Sequence, residues 1–486
     1  MFRSNPVQAA LQLALPCALV LAGGCVRVPP APIDLPARAL ARTTDSFDLP
    51  AIEARAAALA PGEPRPAATG MDRLALFAAI LAIDPRVTAA RDAVEAARRD
   101  ALLAHKAASP MLGLAGSYTN DQSQPSPWLI GATADVQLDF GGRKAGRIRA
   151  ADLGVVSAGY DLVETVWSER IAAARGLVDV LAGQRQVVLG DELLGLYDQQ
   201  LAAMQRRVDA GELTSLALAP VRAMRAAAAR ARGDAVARIA GGRAAVATVL
   251  GVPAAVFDRV ALIWPDFASL PPAPPLLPPP PPPPITVDLR RAALVRRADV
   301  LKTMVAYDQF EAALRVELAR QMPQINLGPG FTWQGGLITL PFALNLQSPS
   351  FDLNRSAIMA AAAHRTVAAQ AVEAALADAQ GAIEAAASER DAATAALVRL
   401  TREELPQTRR VADRADAQVR LGSIDRADWA AAKAADAAAR LAAVDALTRL
   451  RLAQIGLEAA LRQPLDGPEA RITVRSDAAL GSENAR

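Results

Sequence analysis

The side chains best suited to metal binding or thiol chemistry are two cysteines, Cys17 and Cys25, and two histidines, His105 and His364. Each histidine lies in a helical stretch rich in Ala and Arg, with no second ligand at the spacing of a metal site, which is typical of solvated helix positions. The sequence also lacks a phosphate-binding loop, a nucleophile elbow and a cysteine cluster. We therefore expect neither an enzyme nor a cofactor or metal site.

Cys25 is the residue with a specific chemical context. An apolar stretch at 11–21 follows a basic residue and precedes small residues, which is the layout of a secretory signal. The run Leu21-Ala22-Gly23-Gly24-Cys25 is similar to the lipobox of bacterial lipoproteins, in which the cysteine is acylated. This predicts a lipoprotein signal peptide over 1–24 and lipid attachment at Cys25. The alternative is an ordinary cleaved signal with an incidental cysteine. Val26 favours the outer membrane, because an inner-membrane retention signal has Asp at that position.

The remaining sequence contains a duplication. Phe140 recurs as Phe351, Gly211 as Gly422 and Pro253 as Pro464, each 211 positions later. A constant offset over more than 100 residues indicates a repeated structural unit. Each copy is predicted to contain a helix, two short strands, a very long helix, a turn and a shorter helix.

The duplication defines the predicted organisation of the chain. Its segments are an irregular N-terminal tether over 25–70, a first repeat over 71–253, a Pro-rich linker over 254–285, a second repeat over 286–465 and a C-terminal tail over 466–486. Seven consecutive prolines begin at Pro278, which is typical of a stiff spacer.

Alternating apolar and polar residues predict one hairpin at about 111–140 and another at about 324–347. Pro341 indicates a bulge or an edge in the last strand. A half-buried hairpin on a soluble protein would have the same alternation. The long helices around these hairpins and the aromatic residues within them favour a membrane sheet. The predicted interface aromatics are Tyr118, Trp128, Phe331, Trp333 and Phe342.

Strong helix formers predict 67-residue helices over 144–210 and 355–421, each about 100 Å long. Pro406 is the only proline within either run. Tip turns are predicted at about 209–216 and 420–428, after which shorter helices return. Helices of this length must pack along one another in a bundle or tube.

The charge balance excludes one class of partner. The chain has 53 basic and 50 acidic residues, a formal net charge of +3, and its arginines are mixed with acids. Neither a strong global field nor a basic stripe is present, so we expect no nucleic-acid binding.

The lipobox, the duplicated unit and the Gly turns together resemble the TolC-like outer-membrane efflux proteins, in particular their lipoprotein branch. So do the runs Phe140-Gly141-Gly142-Arg143 and Phe351-Asp352-Leu353-Asn354-Arg355, which follow the two hairpins. The run from Leu289 to Val300 is also similar to that branch. The resemblance covers about 70–465. It implies a mainly α fold with a small membrane β part, in which a homotrimer shares a twelve-stranded barrel that continues into a long α-helical tunnel.

The resemblance also implies a function and partners. The chain would be the passive exit duct of a tripartite efflux or export system, lipid-anchored in the outer membrane and extending into the periplasm. A periplasmic adaptor would bind it directly and an inner-membrane pump indirectly. The implied tip, gate and adaptor-contact residues are Gly211, Leu213, Thr214, Gly422, Asp425 and Asp428. Asp428 would face the lumen. Alternatively, Asp425 and Asp428 only start the returning helix, as Asp often does.

Two other classes of protein share some of these features. A periplasmic adaptor also has a long helical hairpin and often a lipobox, but it has one hairpin among many strands. A structural coiled-coil lipoprotein would have the long helices without needing the alternating strands.

Overall fold

The computed structural model describes residues 28–44, 47–61, 70–106, 109–120, 123, 126–139, 141–264, 267, 286–347 and 351–471. Cys25, Phe140 and the prolines over 271–284 lie outside these residues. The chain divides into two compact units, Met1–Asp45 and Ser46–Arg486.

The N-terminal region contains two helices, α1 (Leu35–Thr44) in the first unit and α2 (Leu49–Leu59) in the second. The prediction of an irregular segment over 25–70 is therefore wrong for these stretches. The carboxylate of Asp48 accepts a hydrogen bond from the Ala51 N–H at the start of α2, 3.1 Å away. The prolines of both helices lie in the first turn, where a missing N–H costs nothing, and Ala favours helix in the turns that follow.

The predicted order of elements is confirmed in both halves. The first half contains β1 (Gly70–Met71), α3 (Arg73–Ile83), α4 (Pro85–His105), β2 (Met111–Tyr118), β3 (Trp128–Leu138), α5 (Arg143–Asp209) and α6 (Ala219–Leu250). Between the halves lie α7 (Ala254–Phe257) and β4 (Ala261–Leu262). The second half contains α8 (Val287–Arg296), α9 (Ala298–Ala319), β5 (Gln324–Gln334), β6 (Leu337–Thr339), β7 (Phe342–Gln347), α10 (Arg355–Arg399), α11 (Leu405–Arg420) and α12 (Arg426–Leu461).

The long helix of the second half is interrupted by one π-helical segment, Leu400–Glu404, between α10 and α11. Pro406 explains it, because proline has no N–H and its ring clashes with the carbonyl four residues earlier. The Leu405 N–H bonds to the Leu400 carbonyl, five residues back. The equivalent residue in the first copy is Gly195, and α5 runs for 67 residues without a break.

The main core forms where the two copies meet the segment between them. Phe257, Trp264 and Phe267 are all buried there, and β4 pairs in parallel with β1. The prediction of a spacer from residue 254 is therefore wrong for 254–264 and Phe267. Three aromatic residues supply enough apolar surface to fold this stretch into the core.

Glycines allow α5 and α6 to pack closely. A Cβ atom at Gly183 would lie 2.7 Å from Ile239 Cγ1 and 3.0 Å from the Ala235 carbonyl oxygen. Gly176, seven residues before Gly183, also contacts α6 closely, since a Cβ atom there would lie 2.7 Å from Val246 Cγ2. These contacts fix the two helices side by side along their length.

Candidate functional site

The two hairpins form one sheet. Its order is β2-β3-β5, and β6 and β7 together take the fourth position because both pair with β5. All neighbouring pairs in this sheet are antiparallel. Pro341 separates β6 from β7 on the edge of the sheet, as predicted, and its carbonyl accepts a hydrogen bond from the Gly330 N–H at 2.7 Å.

The register brings the apolar residues of all strands to one face. Leu114 lies opposite Ala132, and Ala132 lies opposite Phe331. Leu327 likewise lies opposite Leu344. Residues directly opposite one another in antiparallel strands share a face. The exposed apolar residues of this face are Leu112, Leu114, Tyr118, Trp128, Ile130, Val136, Phe331, Ile338, Phe342, Leu344 and Leu346.

The apolar side chains on this face are unusually exposed. Leu114 is 89% exposed and Phe342 is 67% exposed. The other face carries mainly polar and small residues, including the opposed pairs Gln137 with Asn326 and Gly131 with Thr332. An extended apolar patch of this kind marks a surface that contacts lipid or another protein.

The predicted interface aromatics are unevenly distributed along the sheet. Tyr118 and Trp128 pair at the hairpin end, with ring centroids 4.9 Å apart. Trp333 lies opposite Ile130 near the same end, and Phe331 follows two residues further down β5. Phe342 lies opposite Pro329, close to the middle of β5. Four of the five aromatics therefore lie toward the hairpin end of the sheet.

The opposite ends of the long helices form two similar turns. Gly211 and Gly422 both have left-handed backbones, with φ of 78° and 69°. The Glu212 N–H bonds to the Arg207 carbonyl and the Ser423 N–H to the Gln418 carbonyl, which is the same helix-ending hydrogen bond in each copy. Leu213 is half-buried and Thr214 is exposed.

The two turns contact each other through one ion pair. Arg207 Nη1 lies 2.7 Å from Asp425 Oδ2. Asp425 is also the N-cap of α12, because its Oδ1 accepts a hydrogen bond from the Asp428 N–H at 2.7 Å. This N–H, with the charge of Arg207, holds the pKa of Asp425 below its ordinary value. Asp428 is exposed in the first turn of α12.

A buried cluster of charges at the core was not predicted. Its members are Arg73, Arg170, Arg451, Glu458, Glu469 and Asp466, of which Asp466 alone is half-exposed. Arg73 Nε lies 3.1 Å from Glu469 Oε1, and Arg170 Nη2 lies 2.9 Å from Glu458 Oε2. The cluster joins α3, α5 and α12 to the segment after α12. These elements are distant in sequence, so no local pattern could have identified it.

The electrostatics of the cluster combine burial with pairing. Burial raises the pKa of Glu469, and the charges of Arg73 and Arg170 oppose this shift without cancelling it. Burial acts in the same direction on Asp466, but Arg73, Arg451 and Arg170 outweigh it, so the pKa of Asp466 lies below its ordinary value. The ring of Trp264 covers Arg73, with the guanidinium carbon 4.8 Å from the ring centroid.

In the described part of the chain, no group of three or more His, Cys, Asp and Glu residues could hold a metal ion. His105 Nε2 lies 3.1 Å from Asp152 Oδ1, and His364 stacks on Phe310.

None of the described helices combines the length and apolar character needed to traverse a bilayer.

The fold is similar to that of several solved membrane proteins. The chain is similar to CusC, solved in a study of folding and transmembrane channel formation, with a TM-score of 0.63, 18% identity, and coverage of 83% of this chain and 99% of CusC. It is also similar to the outer membrane protein VceC of Vibrio cholerae, with a TM-score of 0.62, 16% identity, and coverage of 81% of this chain and 97% of VceC. The open-state MtrE outer membrane channel of Neisseria gonorrhoeae has a TM-score of 0.60 and 18% identity, with coverage of 80% of this chain and 89% of MtrE.

Comparisons with protein-family models and with curated protein sequences gave no match. The structural similarity confirms the predicted TolC-like fold, mainly α with a small β part.

Asp425 and Asp428 should differ in their effect on stability. Asp425→Ala should lower the free energy of unfolding by about 1 kcal/mol at neutral pH, because α12 loses its cap. Asp428→Ala is the matched control and should cost only a few tenths of a kcal/mol, the value of an acidic residue in a first helical turn. Denaturant unfolding of both variants in detergent measures these changes.

The effect of Asp425 should also depend on pH. The depressed pKa stabilises the fold above the unfolded-state value of about 3.9, and this contribution is lost as pH falls through the folded-state value. The difference between the parent and Asp425→Ala should therefore shrink in acid. An equal difference at neutral and acidic pH would contradict the assigned role.

Proposed function

We propose that the chain is an outer-membrane channel, the passive exit duct of a tripartite efflux or export system. The observation that carries this proposal is the continuous apolar face shared by both hairpins, on a sheet attached to helices about 100 Å long. Strands β3 and β5 have 11 residues each, the length that a tilted strand needs to cross a bilayer.

The edges of the sheet support assembly with further copies. In the described sheet, β2 pairs only with β3, and β7 pairs only with β5. An unpaired backbone group costs several kcal/mol in lipid, so a membrane sheet must close. The four strand positions alternate in direction, so β2 and β7 run in opposite directions and can pair between copies. Three copies would give twelve strands, whereas a single chain has fewer than the eight strands of the smallest bacterial barrels.

The helical part would continue the channel into the periplasm. The resemblance to TolC-like proteins implies a tunnel that ends at the helix tips and meets a periplasmic adaptor there. Leu216 and Leu421, next to the turns at Gly211 and Gly422, are 78% and 82% exposed, as an adaptor-binding surface requires. Leu213 and Thr214 belong to the same surface. The pump in the inner membrane would supply the energy.

The tip acids would have different roles. Asp425 holds the two turns together through Arg207, whereas Asp428 is exposed and available to the lumen of an assembled tip. Three copies of Asp428 around one opening would attract cations and form the gate.

The N-terminus would provide a second attachment to the membrane. Acylation of Cys25 would anchor the chain in the outer membrane, in addition to the sheet. The lipobox-like run before Cys25 supports this proposal.

The proposed function makes three predictions, of which the first concerns assembly. Protein extracted in detergent should have the mass of three chains and form single channels in planar bilayers, because one chain cannot close its sheet. Mass measurement in detergent and bilayer recording test this. A monodisperse monomer, soluble without detergent after removal of the first 25 residues, would refute the membrane barrel and favour a structural coiled-coil lipoprotein.

The second concerns the lipid-facing surface. Leu344 and Asn345 are neighbours on β7 that point to opposite faces. Leu344→Arg should reduce insertion into membranes by about 2 kcal/mol, because an arginine would face lipid. Asn345→Arg should insert normally, because its side chain would face the lumen. Membrane fractionation and folding into vesicles compare them, and equal tolerance of both would show that neither face meets lipid.

The third concerns Cys25. Mass spectrometry of the mature protein should find an acylated cysteine at the N-terminus, formed from Cys25. Cys25→Ser should lose the lipid and still insert through its sheet. An unmodified Cys25, or cleavage at another position, would overturn the anchor.

A further inference from the structure

The strands of the sheet contain a single charged residue. In the segments 111–138 and 324–347 the sequence has two charged residues in all, Asp121 in the loop between β2 and β3, and Asp135 in β3. Asp121 lies outside the described residues. The sheet is therefore neutral except at Asp135.

The register assigns Asp135 to the polar face. Asp135 lies opposite Met111 on β2. The pairs Thr133 with Gly330 and Val136 with Leu327 place it opposite Gly328 on β5, and Gly328 lies opposite Ala343 on β7. The neighbouring residues Ala134 and Val136 belong to the apolar row. Asp135 thus points away from the apolar face, in a row whose other members have no charge.

Gly328 leaves the space that this carboxylate occupies. A Cβ atom at Gly328 would lie 2.7 Å from Asp135 Oδ1 and 3.3 Å from the Ala343 Cβ. The carboxylate therefore extends over the neighbouring strand. In the described part of the chain, no basic side chain lies within salt-bridge distance of it.

We propose that Asp135 makes the sheet region of the channel selective for cations over anions. This inference rests on the proposed function, because it needs the polar face to line a lumen. Three copies would then give three fixed negative charges at one level of an otherwise neutral strand surface. Charges of one sign in a narrow passage with low-dielectric walls concentrate counter-ions and exclude co-ions. The duct would favour positively charged solutes over anionic ones.

The test is the ratio of cation to anion permeability in planar bilayers, obtained from reversal potentials in a potassium chloride gradient. The gradient should be set at low ionic strength, where the Debye length is about 10–30 Å and the charge acts across the lumen. The parent should favour potassium. Asp135→Asn, which keeps the shape of the side chain, should move the ratio toward unity with unchanged trimer yield.

A second pair of variants tests charge rather than fold. Thr133 shares the polar face two residues along β3. Thr133→Asp in the Asp135→Asn background should restore the preference for cations. Thr133→Arg in the parent should reduce or reverse it, so the proposal stays testable even if Asp135→Asn assembles poorly.

The effect of the acidic residues at the tip must be distinguished from the effect of Asp135 in the sheet. Asp428→Ala should weaken block by multivalent cations added on the periplasmic side and also lower the preference for cations, whereas the changes at 133 and 135 should alter the permeability ratio without altering that block. If the parent forms channels but none of the changes at 133 and 135 alters the permeability ratio, the role of Asp135 is wrong. The proposed channel function would still stand. A parent that forms no channels would instead refute the proposed function.

Discussion

The structure depends on one requirement, that an apolar sheet face with open edges must be covered and its backbone groups paired. Leu112, Leu114, Leu344 and Leu346 are all more than half exposed on a sheet that has no layer of helices over it in the described chain. Water is a poor environment for this face, and lipid cannot satisfy unpaired N–H and C=O groups. In the proposed channel, pairing β7 of one copy with β2 of the next would satisfy the backbone groups, and lipid around the closed ring would cover the apolar face. The antiparallel alternation across β2, β3, β5 and β7 makes such a ring possible without reversing any strand.

The features that the sequence predicted well are those with a short repeat or a local steric cause. Alternation of period two located the hairpins, and Gly211 and Gly422 occupy left-handed positions that other residues adopt with difficulty. Pro341 interrupts the edge strand as predicted, whereas the prediction of one continuous helix over 355–421 is wrong at Leu400–Glu404, next to Pro406. Such signals act within a few residues, so a single sequence is enough to interpret them.

The features that were missed depend on contacts between distant segments. The stretch from residue 254 looked like the start of a proline-rich spacer, but Phe257, Trp264 and Phe267 pack into a core supplied by other elements. Segment 25–70 contains two helices because the only prolines within them, Pro36 and Pro50, lie in their first turns, a detail that composition alone hides. At the tip, sequence left the role of Asp425 open between a gate and a cap. Its hydrogen bond from Asp428 and its pairing with Arg207 assign it to the cap and to the link between the two turns.

The buried charges explain how one chain closes its two copies into a single arrangement. Three arginines face three carboxylates, and Arg73, Arg170 and Glu458 are each less than a tenth exposed. A buried ion pair contributes little net stability, but one that loses a partner leaves an uncompensated charge costing about 3–5 kcal/mol. The cluster is complete only when α3, α5, α12 and the segment carrying Asp466 and Glu469 are all in place. It therefore penalises partly docked arrangements more than it stabilises the correct one.

Further ion pairs join α5 to the second copy at successive levels toward the tip. They are Arg462 with Glu164, Arg440 with Glu192 and Arg207 with Asp425. The copies are thus joined by burial around the middle of α5 and by partly exposed ion pairs from there toward the tip.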